Sequence, residues 1–294
     1  MKYRTFGRLG WQVSDMGYGM WGLGGWTGSD DAESLASLER AVALGCNFFD
    51  TALAYGAGHS EQLPGQLARA HPDQKLYLAS KIPPQNGKWP SRPEFKLDDT
   101  FPPDHIRQCV ERSLKNLGQP SLDLIQFHVW EDGWADDARW QRALDDLKRE
   151  GLVKAAGISI NRWEPENALR ALRTGAIDAV QVIYNIFDQA PEDQLFPLCR
   201  ELGVAVIARV PFDEGSLTGT LTRDSHWPAG MNMPEMALRF ILANPDVSTI
   251  IPGMRKLKNV EANIAASDAG GLDADFVARL RPHRWDRQPT SWSQ

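Results

Sequence analysis

Cysteine is scarce in this 294-residue chain. Cys46, Cys109 and Cys199 lie far apart and form no CxxC pair, which argues against a disulfide framework or a metal cluster. No run of about 18 apolar residues occurs, so no transmembrane helix is expected. The opening MKYRTFGRLGWQVS lacks the apolar core of a signal peptide. These absences predict a reduced, cytoplasmic protein. Basic clusters are missing too. The chain has 32 basic and 38 acidic side chains, a formal net charge of −6 and a pI near 5.6. Nucleic-acid binders more often carry a basic stripe, so neither nucleic acid nor a membrane is an expected partner. No Pro/Ser-rich linker divides the sequence, which predicts one domain over residues 1–294. At 42% hydrophobic and 24% charged, the composition is that of an ordinary globular chain.

Short apolar runs recur at even intervals. The clearest are Tyr77–Ile82, Leu122–His128, Val153–Ser159, Ala179–Asn185, Val204–Val210 and Ser248–Pro252. Phe48–Thr51 is shorter and Met16–Met20 weaker, making eight candidate strands. The runs are nearly continuous rather than alternating, as parallel strands covered on both faces require. Helical stripes fall between them. Asp30 with Glu33 resembles a capping box opening a helix through Leu35, Leu38 and Val42. Further stripes run through Ile106–Leu117, Trp140–Leu147, Leu169–Leu172, Leu195–Leu202 and Met236–Phe240.

This βα alternation leaves an open doubly wound sheet or an eight-stranded barrel. Gly17, Gly19 and Gly22 satisfy the literal G-x-G-x-x-G of the open sheet. No acidic residue closes a second strand about 20 residues later, as that motif expects, because Asp50 lies about 30 away. Even spacing favours the α/β alternative, a single (β/α)8 TIM barrel with a short N-terminal hairpin. The hairpin is YRTFGRLGWQVS, placed to plug the lower end of the barrel. The Pro-rich stretch Gly87–Pro103 follows a strand C-terminus, so it is expected on the catalytic face.

Polar side chains at strand C-termini point into the mouth of such a barrel. Asp50, Lys81 and His128 each end an apolar run, and Tyr55 follows Asp50 by five residues. A phenol with its usual pKa near 10 is a poor proton donor at neutral pH. A nearby Lys81 ammonium would favour the phenolate and lower that pKa. Asp50 would pair with Lys81, and His128 would orient a substrate oxygen. Such a set suits carbonyl reduction, with the proton from Tyr55 and the hydride from a cofactor. HxH motifs and clustered carboxylates at strand ends are missing, so no metal site is expected.

The segment Asp50-Thr51-Ala52-Leu53-Ala54-Tyr55-Gly56-Ala57-Gly58-His59-Ser60-Glu61 resembles the signature of the aldo-keto reductases. VKAAGISIN, QVIYN, CRELGVAVIARVPFDEGSLTG and IIPGMRKLKNVEANI resemble further landmarks in the same order. The resemblance covers nearly the whole chain. It implies metal-free, NADPH-dependent reduction of aldehydes or ketones, or the reverse alcohol oxidation. It makes Tyr55 the acid and Asp50, Lys81 and His128 its supports.

The resemblance also implies a cofactor site. Ser159, Asn161 and Gln181 match positions that hold the nicotinamide carboxamide, although Ile160 separates two residues that the family often has adjacent. Arg209 stands where an aromatic commonly stacks on the nicotinamide, and a planar guanidinium can also stack. Pro211, Phe212, Leu217 and Gly219 belong to a segment like the pyrophosphate clasp. Gly253, Arg255 and Lys256 resemble the 2′-phosphate site, which favours NADPH over NADH. Asn263 matches an adenine contact, and Asn259 replaces the Arg or Gln of many relatives.

Trp21, Trp89 and Trp130 are the substrate-facing candidates, suited to a small carbonyl or sugar. Two other functions compete. One is an NADPH-binding protein that reports redox state to a partner. The other is a sugar enzyme that uses the nicotinamide transiently, without net consumption. Oligomeric state is left open.

Overall fold

The computed structural model describes residues 1–26, 28–219 and 231–289. An antiparallel hairpin comes first, β1 (Tyr3–Phe6) and β2 (Trp11–Ser14), with Phe6 opposite Trp11. Next come β3 (Tyr18–Gly19), α1 (Asp31–Ala43), β4 (Phe48–Asp50), α2 (His59–Ala70) and β5 (Tyr77–Ile82). The long connection after β5 holds the short α3 (Leu97–Thr100) and leads to α4 (Pro103–Leu117). The alternation continues through β6 (Leu122–His128), α5 (Ala138–Arg149), β7 (Val153–Ser159), α6 (Leu169–Arg173) and β8 (Ala179–Ile183). It ends with α7 (Leu195–Leu202), β9 (Ala205–Arg209), α8 (Met233–Leu242), β10 (Val247–Ile250), α9 (Leu257–Ala269) and α10 (Ala274–Leu280).

Strands β3 to β10 pair in chain order, all parallel. Isolated parallel bridges from Met16 to Ile250 and from Gly19 to Gly253 bring the two edges together. The expected eight-stranded barrel is therefore what forms. Gly19 belongs to this seam. A Cβ there would stand 2.5 Å from the Ile251 carbonyl oxygen. Gly17 and Gly19 thus have a packing reason in a barrel, while a Cβ at Gly22 would meet open space.

Side chains alternate across each strand, and this alternation builds the interior. Phe48, Tyr77, Ala79, Leu124, Ala155, Ala179, Ala205 and Ile207 form an apolar lower plug with Phe6 and Val13 of the hairpin. The hairpin thus closes the N-terminal end, as its sequence suggests. Two residues further along their strands stand Asp50, Lys81, Gln126, Gln181 and Arg209 at the opposite end. The outward residues Phe49, Leu78, Ile125, Ile158, Val180 and Val206 join the main core with the helices.

Helix α1 opens as expected, with the Asp30 side chain accepting from Glu33 N at 2.9 Å. Helix α2, like α9 and α10, is not among the helical stripes of the sequence. It contains Pro64, which cannot donate an intrahelical hydrogen bond. A Cβ at its Gly65 would lie 2.0 Å from the Leu117 carbonyl oxygen, so this helix packs backbone-close against the end of α4. Among the described residues, no helix is long and apolar enough to cross a membrane.

Candidate active site

Asp50, Lys81 and His128 stand at or near the C-terminal ends of β4, β5 and β6, and Tyr55 begins the turn that follows β4. Lys81 and Asp50 form a buried ion pair. Lys81 Nζ also donates to the Thr51 carbonyl at 2.7 Å. The other Asp50 oxygen accepts from Gln126 Nε2 at 3.0 Å and Gln181 Nε2 at 2.8 Å. Both carboxylate oxygens are therefore satisfied, as a buried charge requires. The ammonium lies 5.1 Å from the centroid of the Tyr55 ring. The Tyr55 and His128 rings meet edge-on, with centroids 5.9 Å apart. The four residues thus share one end of the barrel.

The rest of the signature segment is structural. Thr51 Oγ1 donates to Ser60 Oγ at 2.9 Å, and Ser60 Oγ donates to the Met20 carbonyl at 3.1 Å. Buried Glu61 accepts from Ser80 Oγ at 2.5 Å and Asn116 Nδ2 at 2.7 Å. These bonds fix the turn that carries Tyr55.

Burial changes the electrostatic expectation for Tyr55. Removal from water raises its pKa above 10, and the Lys81 charge is the largest opposing influence. The expected net lowering by Lys81 is therefore not met in this structure, because desolvation of the phenolate outweighs the ammonium's attraction. His128 is held well below 6.5 by burial, then by the charges of Lys81 and Arg209. It is neutral at pH 7, and its buried Nδ1 has no partner.

Aromatic side chains rim this end. Trp89, in the long connection after β5, meets His128 edge-on at 4.4 Å between centroids. Trp26 meets Tyr55 edge-on at 6.0 Å, and its ring is tilted by 47° against that of Trp21 at 5.7 Å. Trp21 and Trp26 are exposed at 60% and 48%. Trp26 was missed from the sequence, where it sits in a glycine-rich run without periodicity. Trp130 is a correction. It is fully buried against Phe127, Trp134 and Trp140, away from the mouth. The cause is Val129, whose φ of 122° breaks the strand alternation.

A family model describing the aldo/keto reductase family matches residues 15–284. This chain belongs to the aldo/keto reductase family. It is 29% identical over 316 residues to the NADH-specific methylglyoxal reductase of Escherichia coli, covering 94% of this chain and 96% of that one. It is 28% identical over 311 residues to the L-galactose dehydrogenase of Arabidopsis thaliana, covering 95% and 93%. The holo form of an aldo-keto reductase from Bacillus halodurans superposes with a TM-score of 0.82 at 25% identity, covering all of both chains. The barrel is thus the family's, and the chain is an oxidoreductase of that family.

The remaining candidates of this aldo/keto reductase follow one another around the C-terminal face. Ser159 lies beside His128 and Gln181 in register, Ser159 and His128 ending β7 and β6 and Gln181 in the middle of β8. Gln181 spends its amide on Asp50. Asn161 Nδ2 faces four acceptors, including the Ser91 and Trp130 carbonyls at 3.4 and 3.2 Å and Glu164 at 2.8 Å. Its Oδ1 is buried without a partner. Arg209 ends β9, and Pro211, Phe212, Leu217 and Gly219 lie in the loop that follows. Ion pairs anchor that loop from two sides, Glu214 to Arg162 at 2.7 Å and Asp213 to Arg287 at 2.7 Å. Gly253, Arg255 and Lys256 lie between β10 and the start of α9. Asn259 and Asn263 lie within α9, Asn259 exposed and Asn263 buried with Nδ2 unpartnered. An elongated anionic cofactor fits this set. Buried polar atoms of Asn161, Arg209 and Asn263 have no protein partner, and a helix N-terminus with two flanking cations favours phosphate.

Proposed function

We propose that this protein reduces a small aldehyde or ketone, or catalyses the reverse oxidation, with NADPH as its preferred cofactor. The observation that carries this reading is the convergence of Tyr55, the Lys81–Asp50 pair and His128 at one barrel mouth. When bound, the nicotinamide supplies or accepts the hydride. Tyr55 gives its phenolic proton to the carbonyl oxygen; burial opposes that transfer by raising its pKa, and the Lys81 charge is the largest influence working against the rise. Lys81 stabilises the phenolate left behind. Asp50 holds Lys81 in place, and Gln126 and Gln181 hold Asp50. Neutral His128 orients the substrate oxygen through a ring N–H. Trp21, Trp26 and Trp89 form the apolar side of the substrate site.

Ser159, Asn161, Gln181 and Arg209 would hold the nicotinamide end of the cofactor. The Pro211–Gly219 segment would hold the pyrophosphate, and Asn259 and Asn263 the adenosine. Arg255 and Lys256 supply the cations for a 2′-phosphate, which NADH lacks. The relative named an NADH-specific reductase makes this preference a property to test rather than to inherit. Relatives named for methylglyoxal reduction and L-galactose dehydrogenation support small carbonyl compounds and sugars as the substrate class.

The test is fluorescence titration with NADPH and NADH, followed by a panel of aldehydes, ketones and sugars monitored by reduced-cofactor absorbance. NADPH binding with turnover on a carbonyl supports the proposal. Binding without net consumption across the panel moves the function to redox reporting or internal transfer. Failure to bind either cofactor refutes it.

A further inference from the structure

Arg209 is a half-buried cation at the mouth that the proton-donor set does not use. Among the described residues, no carboxylate forms a salt bridge with it. Its Nη2 donates to the Ile160 carbonyl at 2.9 Å, reaching from the end of β9 past β8. Its Nε is buried without a partner. The nearby acids are committed elsewhere, Asp50 to Lys81 and Glu214 to Arg162. Arg162 adds repulsion. Burial, then Arg162, brings the Arg209 pKa down to about 10, so the guanidinium stays charged at neutral pH. Its field acts on both Tyr55 and His128.

In the proposed reaction the carbonyl oxygen meets Tyr55, and the carbon beside it must touch the nicotinamide ring. A ring that meets a carbonyl held by Tyr55 and His128 would face the neighbouring strands β7 to β9, which present Ser159, Gln181 and Arg209. An oxidised nicotinamide ring is cationic and a reduced one is neutral. We infer that Arg209 makes this site select the reduced cofactor over the oxidised one. The inference rests on the proposed function. Its benefit is in cofactor exchange, where the charge holds NADPH and hastens loss of NADP+. The same charge opposes the chemical step, so Arg209 trades driving force for exchange. A group of this kind suits a protein that works as a reductase.

The test titrates wild type, Arg209→Met and Arg209→Lys with NADPH and with NADP+ separately, following tryptophan fluorescence. Thermal unfolding of each free protein checks folding. Wild type is expected to bind NADPH at least about tenfold tighter than NADP+. Arg209→Met should shrink that ratio about tenfold, chiefly by tightening NADP+, and Arg209→Lys should preserve most of it. Equal wild-type affinities overturn the inference, even if the Met variant does not fold. So does an unchanged ratio in a folded Met variant. An unchanged ratio with KM raised for glyoxylate and not for a neutral aldehyde assigns the charge to an anionic substrate, which also overturns it. If wild type binds neither form, the proposed function itself fails.

Discussion

Removing Lys81 alone should cost more stability than removing Lys81 and Asp50 together. Both side chains are buried, and their pairing satisfies charges that water no longer reaches. Lys81→Met leaves Asp50 with only the Gln126 and Gln181 amides. Breaking a buried pair in this way typically costs about 3–5 kcal/mol, because the surviving charge is uncompensated. Asp50→Asn strands the ammonium, with a loss of the same order. The double variant Asp50→Asn/Lys81→Met removes both charges, and its loss should be smaller than that of either single variant. The assay is urea unfolding followed by tryptophan fluorescence, run beside NADPH oxidation. All three variants should lose most turnover, because each lacks the charge arrangement around Tyr55. Stability and activity would then separate in the double variant. Additive losses, or single losses below about 1 kcal/mol, would refute the claim that the pair is desolvated and coupled.

Trp130→Ala should lower stability by about 3–5 kcal/mol through the cavity it leaves, with substrate KM unchanged in Trp130→Phe. Trp26→Ala should do the reverse, raising KM severalfold for aromatic aldehydes while leaving the unfolding midpoint near wild type. Buried Glu131 and half-buried His128 give opposite pH dependences. His128, lowered well below 6.5, binds a proton more readily when unfolded, so its contribution to stability falls as pH drops below 6.5. Glu131, raised from 4.5 to about 7 by burial and by Glu164, holds its proton when folded. Its contribution is therefore present below 4.5 and is lost as pH rises towards 7. Each group adds a slope of at most about 1.4 kcal/mol per pH unit. Unfolding midpoints of His128→Gln and Glu131→Gln against pH should lose the acid-side and neutral-side slopes respectively. Arg255→Ala should raise the Kd for NADPH at least about tenfold more than that for NADH, and equal losses would place Arg255 away from the 2′-phosphate.

The strands were readable because each is buried on both faces, and only a nearly continuous apolar run survives there. Asp50, Lys81 and His128 are readable because such runs stop at them or one residue beyond. Helix α2 was not, since Pro64 interrupts its register and its buried face includes Ser60, Glu61 and Gly65. Strand periodicity continued through Val129 points Trp130 into the mouth, but the positive φ of Val129 ends that periodicity. The same periodicity would have found Gln126, two residues before His128 on the inward face of β6. The pKa of Tyr55 depends on a balance between burial and charge, and sequence names the partners without their depth.

The most direct measurement is stopped-flow NADPH oxidation by Tyr55→Phe, with NADPH affinity measured on the same sample. The account predicts hydride transfer slowed by about 10²–10⁴, with the dissociation constant for NADPH within a few-fold of wild type. Transfer at the wild-type rate would remove Tyr55 as the proton donor. Lost NADPH binding would instead give Tyr55 a place in the cofactor site.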